Sequence, residues 1–211
     1  MKVSRNFPVP AAELEYGEEI KKSRFLTQLR HTAGKVEAKA WIAQVRAQHP
    51  QARHCCWAHV AGEPGDGQAY GFSDDGEPAG TAGKPLLNLL LGSGLGQITV
   101  IVVRYYGGIK LGTGGLVRAY GHGVAELLKQ MPTRWVVATQ GFDVRCGYED
   151  LALCQWAMDL VACESIEVSY GEQIRLRGLC PCDEMCEFET VQRNRSHGRV
   201  GIEWVSEEQK K

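Results

Sequence analysis

The chain has 211 residues, a formal net charge of −1 at pH 7 and 44% hydrophobic residues, which are values of a globular protein with one large or two small domains. A charge near zero excludes a protein that is basic throughout, so a polyanion would have to bind at a local cationic patch. The first ten residues, MKVSRNFPVP, lack the apolar segment of a secretory signal, and no apolar run reaches ~20 residues. The sequence therefore predicts a cytoplasmic protein without a membrane span.

The first part of the chain is predicted to alternate strands and helices. Apolar periodicity, β-branched runs and glycine- or proline-rich turns define the elements. Residues 1–17 contain Pro8, Pro10 and Gly17 and are interpreted as an irregular lead-in. The elements that follow are a strand at 18–31, a helix at 34–48, a hairpin of strands 52–61 and 68–73, a leucine-rich helix ending at 92–94, a buried strand at 97–106 and a helix at 114–130.

Two of these helices carry more detailed predictions. In the first helix, Val36, Ala40, Ala43 and Ala47 recur at helical spacing, and Trp41 and Val45 adjoin them. At the start of the leucine-rich helix, Thr81 is expected to be the N-cap, because its hydroxyl can accept a hydrogen bond from an unpaired backbone N–H.

The pattern changes after residues 131–134, which indicates a domain boundary. The elements predicted beyond it are a strand at 136–146, a helix at 148–163, strands at 164–170 and 172–180, a helix at 183–195 and a strand at 199–205. The order β-α-β-β-α-β is the ferredoxin-like pattern. The sequence thus predicts an α+β protein with an N-terminal domain at 1–135 and a smaller ferredoxin-like domain at 136–211.

Residues 74–122 are the most unusual stretch of the chain. They open with an acidic turn, Asp74-Asp75-Gly76-Glu77-Pro78, and they are rich in glycine. Residues 78–125 contain no Asp or Glu, but they contain Lys84, Arg104, Lys110 and Arg118. Glycine is used where the backbone needs a positive φ or where another group must approach closely. The stretch therefore indicates a cationic surface with much exposed backbone beside an acidic turn.

Two runs in this stretch, DDGEPAGTAGKP (74–85) and VVRYYGGIKLGTGGLVRAYG (102–121), resemble the signature of the IMPACT/YigZ family, and the resemblance extends along the whole chain. It implies an N-terminal α/β two-layer domain of a type shared by a small-subunit ribosomal protein and elongation factor G. It also implies a C-terminal domain similar to the last domain of that factor. Two positions depart from the family pattern: Cys55 stands where a second histidine is common after His54, and His122 stands where a small residue is common.

The candidate site is an anion-binding surface. Two helix N-termini, near Gly83 and Gly114, would direct free N–H groups at a phosphate, and the cations would add charge. Aromatic residues among cations suit RNA bases. The residues assigned to this surface are Asp74, Asp75, Glu77, Thr81, Gly83, Lys84, Arg104, Tyr105, Tyr106, Gly107, Gly108, Lys110, Gly112, Gly114, Gly115, Arg118 and Tyr120. The alternative is a tightly packed core whose cations are solvated or paired with the acidic turn.

No cofactor is predicted, because the nucleotide-binding motifs fail. A P-loop requires Ser or Thr after Gly-Lys, but Pro85 follows Lys84. The run from Gly112 begins like a dinucleotide fingerprint and lacks its third glycine.

A metal-dependent hydrolase is the alternative from another functional class. It would use Asp74, Asp75 and Glu77 with His54 and His59, since carboxylates and imidazoles are suitable ligands. However, the two histidines are five residues apart on one strand, which places them on opposite faces. A second possible metal or redox site is Cys180, Cys182 and Cys186, whose spacing is not that of common zinc sites.

No catalytic triad or cofactor motif is present, so the sequence favours a binding protein over an enzyme. Eukaryotic members of the family are implicated in translational control, where they compete for the ribosome-associated activator of the amino-acid-starvation kinase. The resemblance therefore implies a translation- or ribosome-associated regulator that binds RNA or a ribosomal factor through residues 74–120. A protein-interaction module that does not bind RNA is the remaining alternative.

Overall fold

A computed structural model describes residues 6–205 and shows an α+β protein. Residues 1–5 and 206–211, the ends of the two predicted domains, lie outside the described part. The chain divides into two compact units, residues 7–136 and residues 137–205 together with Asn6. Among residues 6–205 no helix is both long and apolar enough to cross a bilayer.

The larger unit is built on a five-stranded antiparallel sheet with the order β2-β3-β6-β4-β5. Its central strand, β6, is rich in β-branched residues, and every residue before Tyr105 is buried. The elements of this unit are β1 (Phe7–Pro10), β2 (Leu14–Ile20), β3 (Ser23–His31), α1 (Gly34–Gln48), β4 (His54–Val60), β5 (Tyr70–Ser73), α2 (Gly83–Ser93), β6 (Ile98–Tyr105), α3 (Thr113–Gln130) and β7 (Thr133–Val136).

Helices cover both faces of this sheet. Helices α2 and α3 pack on the face that presents Phe25, Cys56 and Val102, whereas α1 packs on the face of Cys55 and Val103. The unit therefore has helices on both faces of its sheet, with α2 and α3 on one face and α1 on the other. Apolar residues on both faces of β4 and β6 require two covering layers.

The buried side of α1 includes Trp41 and Val45, which adjoin the periodic residues in the sequence. Ile42 is also buried, whereas Val36 is 85% exposed and the alanines of the periodic set are exposed. Apolar residues recur at helical spacing on both sides of this helix, but only the side with the larger side chains can bury a substantial apolar area.

The single strand predicted at 18–31 is two strands, β2 and β3, and the lead-in predicted to be irregular contains β1 and most of β2. The two strands are joined by Lys21 and Lys22, which have φ angles of 46° and 62°. Among two-residue hairpin turns, type I′ needs positive φ at both central positions, for which Asn-Gly is the usual signal. The Lys-Lys turn gives no such signal in the sequence.

The smaller unit contains a four-stranded antiparallel sheet with the order β11-β8-β10-β9. Its elements follow the order predicted from the sequence: β8 (Thr139–Cys146), α4 (Leu151–Leu160), β9 (Glu164–Tyr170), β10 (Ile174–Pro181), α5 (Met185–Arg195) and β11 (Ile202–Val205). The core between the helices and the sheet includes Phe142, Leu176 and Phe188.

Candidate functional site

The first acid of the acidic turn caps helix α2. One carboxylate oxygen of Asp74 accepts hydrogen bonds from the backbone N–H groups of Ala82 and Gly83 at 2.9 and 2.8 Å. The other oxygen accepts from Gly80 at 2.9 Å. Burial would raise the pKa of Asp74, but these three bonds favour the carboxylate and hold its pKa below its ordinary value.

This arrangement overturns two predictions about α2. Thr81 is not the N-cap, because its hydroxyl donates to the carbonyl of Pro78 at 2.7 Å and the cap position is Ala82. The N-terminus of α2 near Gly83 is not open to a phosphate either, because the Asp74 carboxylate already occupies it. A cap is normally sought in the residue next to the helix, whereas Asp74 lies eight residues before the cap position, Ala82.

The three carboxylates of the turn point to different partners. Asp75 accepts from the N–H of Cys55 at 2.7 Å and forms an ion pair with Arg46. Glu77 instead accepts from Arg104. Within residues 6–205, no group of three or more His, Cys, Asp or Glu side chains is arranged to hold a metal ion. The donor set proposed for a hydrolase therefore does not converge.

Glu77 lies at the centre of a buried polar network. Its Oε1 accepts from Nη1 of Arg104 at 2.5 Å and from the hydroxyl of Tyr120 at 2.8 Å. Arg104 also donates to the hydroxyl of Ser23 at 3.3 Å. Arg104 is 4% exposed and Tyr120 is fully buried, so the negative charge of Glu77 is compensated inside the protein.

The N-terminus of helix α3, in contrast, has no side-chain cap from the described part of the chain. Gly112 stands at the N-cap with a φ of 74°, and the first turn contains no acidic residue. The first N–H groups of a helix have no partner within it and carry a partial positive charge. Of the two predicted anion sites, this helix end is therefore the one that a side chain has not already filled.

A cavity of about 510 Å³, here called the α3 pocket, opens at this helix end. Its polar lining comes from the helix start at Gly112 and Thr113 and from Arg53, His54, Glu77, Arg104, Tyr106 and Lys110. Its apolar lining is Pro78, Leu111 and Leu116. Since Arg104 compensates Glu77, Arg53 and Lys110 leave the pocket with an excess of positive charge.

A second cavity, of about 410 Å³ and here called the hairpin pocket, lies beside the turn between β2 and β3. Leu111 lines both cavities, so the two are neighbours. Lys21 and Arg118 add positive charge to the hairpin pocket, while His122 is 3.0 Å from Glu18. Basic side chains therefore line both neighbouring cavities.

Comparison with known proteins places this architecture in a family. The Impact N-terminal domain model matches residues 21–128. The IMPACT family member YigZ of Escherichia coli (strain K12) is 47% identical over 199 residues, which are 94% of this chain and 98% of YigZ. The chain belongs to the IMPACT family. An IMPACT family member of Haemophilus influenzae is 51% identical over 168 residues, 80% of this chain and 82% of that protein.

A solved structure agrees with the fold of this IMPACT-family chain. The crystal structure of a protein described as hypothetical has a TM-score of 0.75 to it and 46% sequence identity. The similarity covers 97% of this chain and 99% of that one. The family resemblance noted in the two signature runs is therefore confirmed over the whole length.

The signature glycines serve different purposes in the IMPACT fold. A Cβ on Gly107 would lie 1.9 Å from the carbonyl oxygen of Lys22, and one on Gly83 would lie 2.7 Å from the backbone of Ser73. Gly108 has a φ of 87° and Gly115 lies close to Leu111. A Cβ on Gly114 would meet no atom of residues 6–205 within 4 Å. Close packing therefore explains Gly83 and Gly107, but it does not explain Gly114.

The aromatic and cationic residues predicted for one surface are also divided. Of the three tyrosines, Tyr106 lines the α3 pocket, Tyr120 is buried, and Tyr105 points to the α1 side, where its hydroxyl is 2.8 Å from Nδ1 of His49. Lys84 is exposed on α2 and lines neither of the two pockets. The interpretation of three tyrosines on one binding surface is therefore wrong for Tyr105 and Tyr120.

Sequence analysis did not assign Arg53 to the site, and it considered His54 only as a metal ligand. The pairing of β4 with β6 sets His54 opposite Arg104 and brings Arg53 to the same cavity. Only the sheet register reveals this neighbourhood, because the two strands are about fifty residues apart in sequence. Cys55, which replaces the second histidine of the family pattern, lies on the opposite face of the sheet.

The cysteine cluster of the smaller unit does not form a common site. Cys180 is buried in the core, where burial raises the pKa of its thiol, whereas Cys186 is exposed on α5. Cys182 lies between them in a short 3₁₀ turn. The different burial of Cys180 and Cys186 favours the interpretation of this cluster as incidental.

Proposed function

We propose that this IMPACT-family chain is a non-enzymatic, cytoplasmic protein that binds RNA and acts in association with translation. The observation that carries the proposal is the α3 pocket, where an uncapped helix N-terminus meets Arg53 and Lys110 and the acid in the lining, Glu77, is already paired. Free N–H groups, a helix dipole and cations at one place are the usual elements of a phosphate site.

The surroundings of the α3 pocket favour a chain of phosphates over an isolated anion. The neighbouring hairpin pocket adds Lys21 and Arg118, so cationic contacts extend along the start of α3. Tyr106 is 43% exposed at the first pocket and can stack on a base. Single-stranded RNA is recognised by this combination of cations along the backbone and aromatic rings at the bases.

The test is RNA binding by fluorescence anisotropy across a salt series, with ribosome co-sedimentation as a second measurement. The variant Lys110→Gln/Arg118→Gln removes one cation from each pocket. The control variant Lys35→Gln/Lys39→Gln removes the same charge from α1, on the other face of the sheet. If the cations contact phosphates, affinity falls with log salt, and the slope becomes shallower by roughly 0.7 per lost contact only in the pocket variant.

Two results would contradict the proposal. One is the absence of RNA binding at low salt, and the other is an equal effect of the two variants, which would indicate a general charge effect. Ribosome co-sedimentation that persists without any RNA affinity would instead indicate a protein-interaction module.

A further inference from the structure

The α3 pocket is a cavity whose lining includes two nearly buried polar side chains, His54 and Arg104. Its volume of about 510 Å³ lies in the range of small-ligand sites. We infer that this pocket binds the phosphomonoester of a single nucleotide, either at an RNA terminus or in a free nucleoside monophosphate. The RNA terminus as the source of the phosphomonoester rests on the proposed function, because it specifies which part of an RNA the pocket would hold, whereas a free nucleotide as the source does not.

Arg104 has a buried hydrogen-bond donor without a partner in the described part of the chain. Nε of Arg104 is buried and has no hydrogen-bond partner among residues 6–205, although Nη1 and Nη2 are bonded to Glu77 and Ser23. A buried N–H without a partner is unfavourable, because it has lost its hydrogen bonds to water, so such groups usually have a protein, ligand or water partner. Arg104 lines the α3 pocket, so the residue with this unmet donor forms part of the cavity wall.

The hydrogen bond of His54 leaves one of its ring nitrogens available. Its Nδ1 is 2.9 Å from the carbonyl oxygen of Asp75, and a carbonyl can only accept, so Nδ1 carries the proton. The other nitrogen, Nε2, is 3.9 Å from Oε1 of Glu77, which is beyond hydrogen-bond distance. Nε2 therefore remains available in the pocket, where it can accept a hydrogen bond from a P–OH group.

The positive charge of the pocket matches the negative charge of a phosphomonoester. A phosphomonoester carries about −1.5 to −2 charges at pH 7, whereas a phosphodiester inside a chain carries −1. Arg104 compensates Glu77, which leaves Arg53 and Lys110 and the positive end of α3 for the ligand. Two cations with a helix dipole match the charge of a monoester better than that of a diester.

The nearly buried polar side chains of the pocket are accessible only to a group that enters the cavity. The side chains of His54 and Arg104 are only 14% and 5% exposed, so a group that contacts both must enter the cavity. A terminal phosphate or a free nucleotide can enter such a cavity more easily than a phosphate that is flanked by nucleotides on both sides. Tyr106 and Leu111, which also line the pocket, offer an aromatic ring and an apolar surface for the base.

The experiment compares ligands that differ only in the phosphomonoester. Three RNA decamers of one sequence carry a 5′-phosphate, a 3′-phosphate or hydroxyls at both ends, and AMP is compared with adenosine. Dissociation constants are measured for the wild-type chain, for Lys110→Gln in the α3 pocket and for Arg118→Gln in the hairpin pocket. The second variant is the matched control, since it also removes one cation next to α3.

If the pocket holds an RNA terminus, we expect at least one phosphorylated decamer to bind about tenfold more tightly than the hydroxyl decamer. If it holds a free nucleotide, we expect AMP to bind more tightly than adenosine. Lys110→Gln should remove this preference, while Arg118→Gln should weaken all decamers equally and preserve the ratio. Equal affinity of all three decamers together with equal affinity of AMP and adenosine would overturn the inference and leave the RNA proposal standing. AMP binding without any decamer binding would support the inference and contradict the RNA proposal.

Discussion

Arg104 on β6 and Glu77 in the acidic turn form a buried ion pair, with Nη1 of the arginine 2.5 Å from Oε1 of the glutamate. The pair joins the central strand of the sheet to the turn that precedes α2. Tyr120 of α3 donates to the same carboxylate oxygen at 2.8 Å, so three elements meet at one charge. The network thereby fixes the position of α3, whose N-terminus forms the candidate site.

The first prediction concerns the stability that this pair provides. Removing one partner leaves an uncompensated buried charge, which typically costs about 3–5 kcal/mol. We therefore expect Arg104→Met and Glu77→Gln each to lower the free energy of unfolding by about that amount, measured by urea denaturation at pH 7.

The double variant separates the pair from the simple loss of packing. If the two residues act as a pair, Arg104→Met combined with Glu77→Gln should cost less than the sum of the single variants, with a coupling of about 0.5–3 kcal/mol. An additive double variant would show that the contact contributes little. Arg118→Gln, a change at an exposed cation, should alter stability by less than about 0.5 kcal/mol.

The second prediction concerns acid and the cap on α2. The pKa of Asp74 is below its ordinary value of 3.8, so the unfolded chain binds its proton at a higher pH than the folded chain. The stabilisation is therefore complete above about pH 4–5 and is lost as the pH falls through the lower folded value.

Asp74→Asn is the variant that tests this dependence. The amide oxygen of asparagine can still accept from Ala82 and Gly83, but its NH₂ group cannot accept from Gly80. We expect a loss of about 1–3 kcal/mol at pH 7 and a smaller loss at pH 3, which is below the ordinary pKa of 3.8, because the stabilisation by the charge declines there. A difference between wild type and variant that is the same at both pH values would contradict the role of the charge.

The sequence predicts this fold well where the signal is local. Periodicity and turn residues place α3, β6 and β9 within a few residues of their observed bounds, since each depends on its own side chains. The hairpin at Lys21 and Lys22 is missed because no residue type marks its positive φ angles. The candidate site is only half predictable: Lys110 and Gly112 belong to the signature, whereas Arg53 and the cap from Asp74 depend on contacts between distant segments.

The third prediction separates a packing glycine from its neighbour. A methyl group on Gly107 would collide with the backbone at Lys22, with a distance of 1.9 Å to the carbonyl oxygen. Backbone cannot move aside as a flexible side chain can, so Gly107→Ala should lower the free energy of unfolding by about 3 kcal/mol. Gly108→Ala meets no atom of residues 6–205 within 4 Å and only strains a φ of 87°, which costs about 1–2 kcal/mol. Thermal unfolding of both variants measures the difference, and equal losses would contradict the close approach of Gly107 to the β2–β3 turn.

The fourth prediction sets stability against binding at the start of α3. Gly114 is exposed in the first turn of this helix, and its position has room for a side chain. Gly114→Ala should gain up to about 1 kcal/mol of stability from helix propensity. Gly114→Asp should gain about 0.3–1 kcal/mol from a negative charge near the positive end of the helix.

The same aspartate should weaken binding, because its carboxylate would compete with a phosphate for the free N–H groups of α3. We expect Gly114→Asp to lower RNA affinity about tenfold, which corresponds to about 1.4 kcal/mol, while Gly114→Ala leaves it nearly unchanged. Anisotropy titrations at one salt concentration, beside thermal unfolding of both variants, measure the two effects. Loss of affinity in the alanine variant alone would indicate that backbone flexibility matters, and full affinity in the aspartate variant would exclude the helix end as the anion site. A chain that becomes more stable and binds less well would show that the helix end is left uncapped for a ligand.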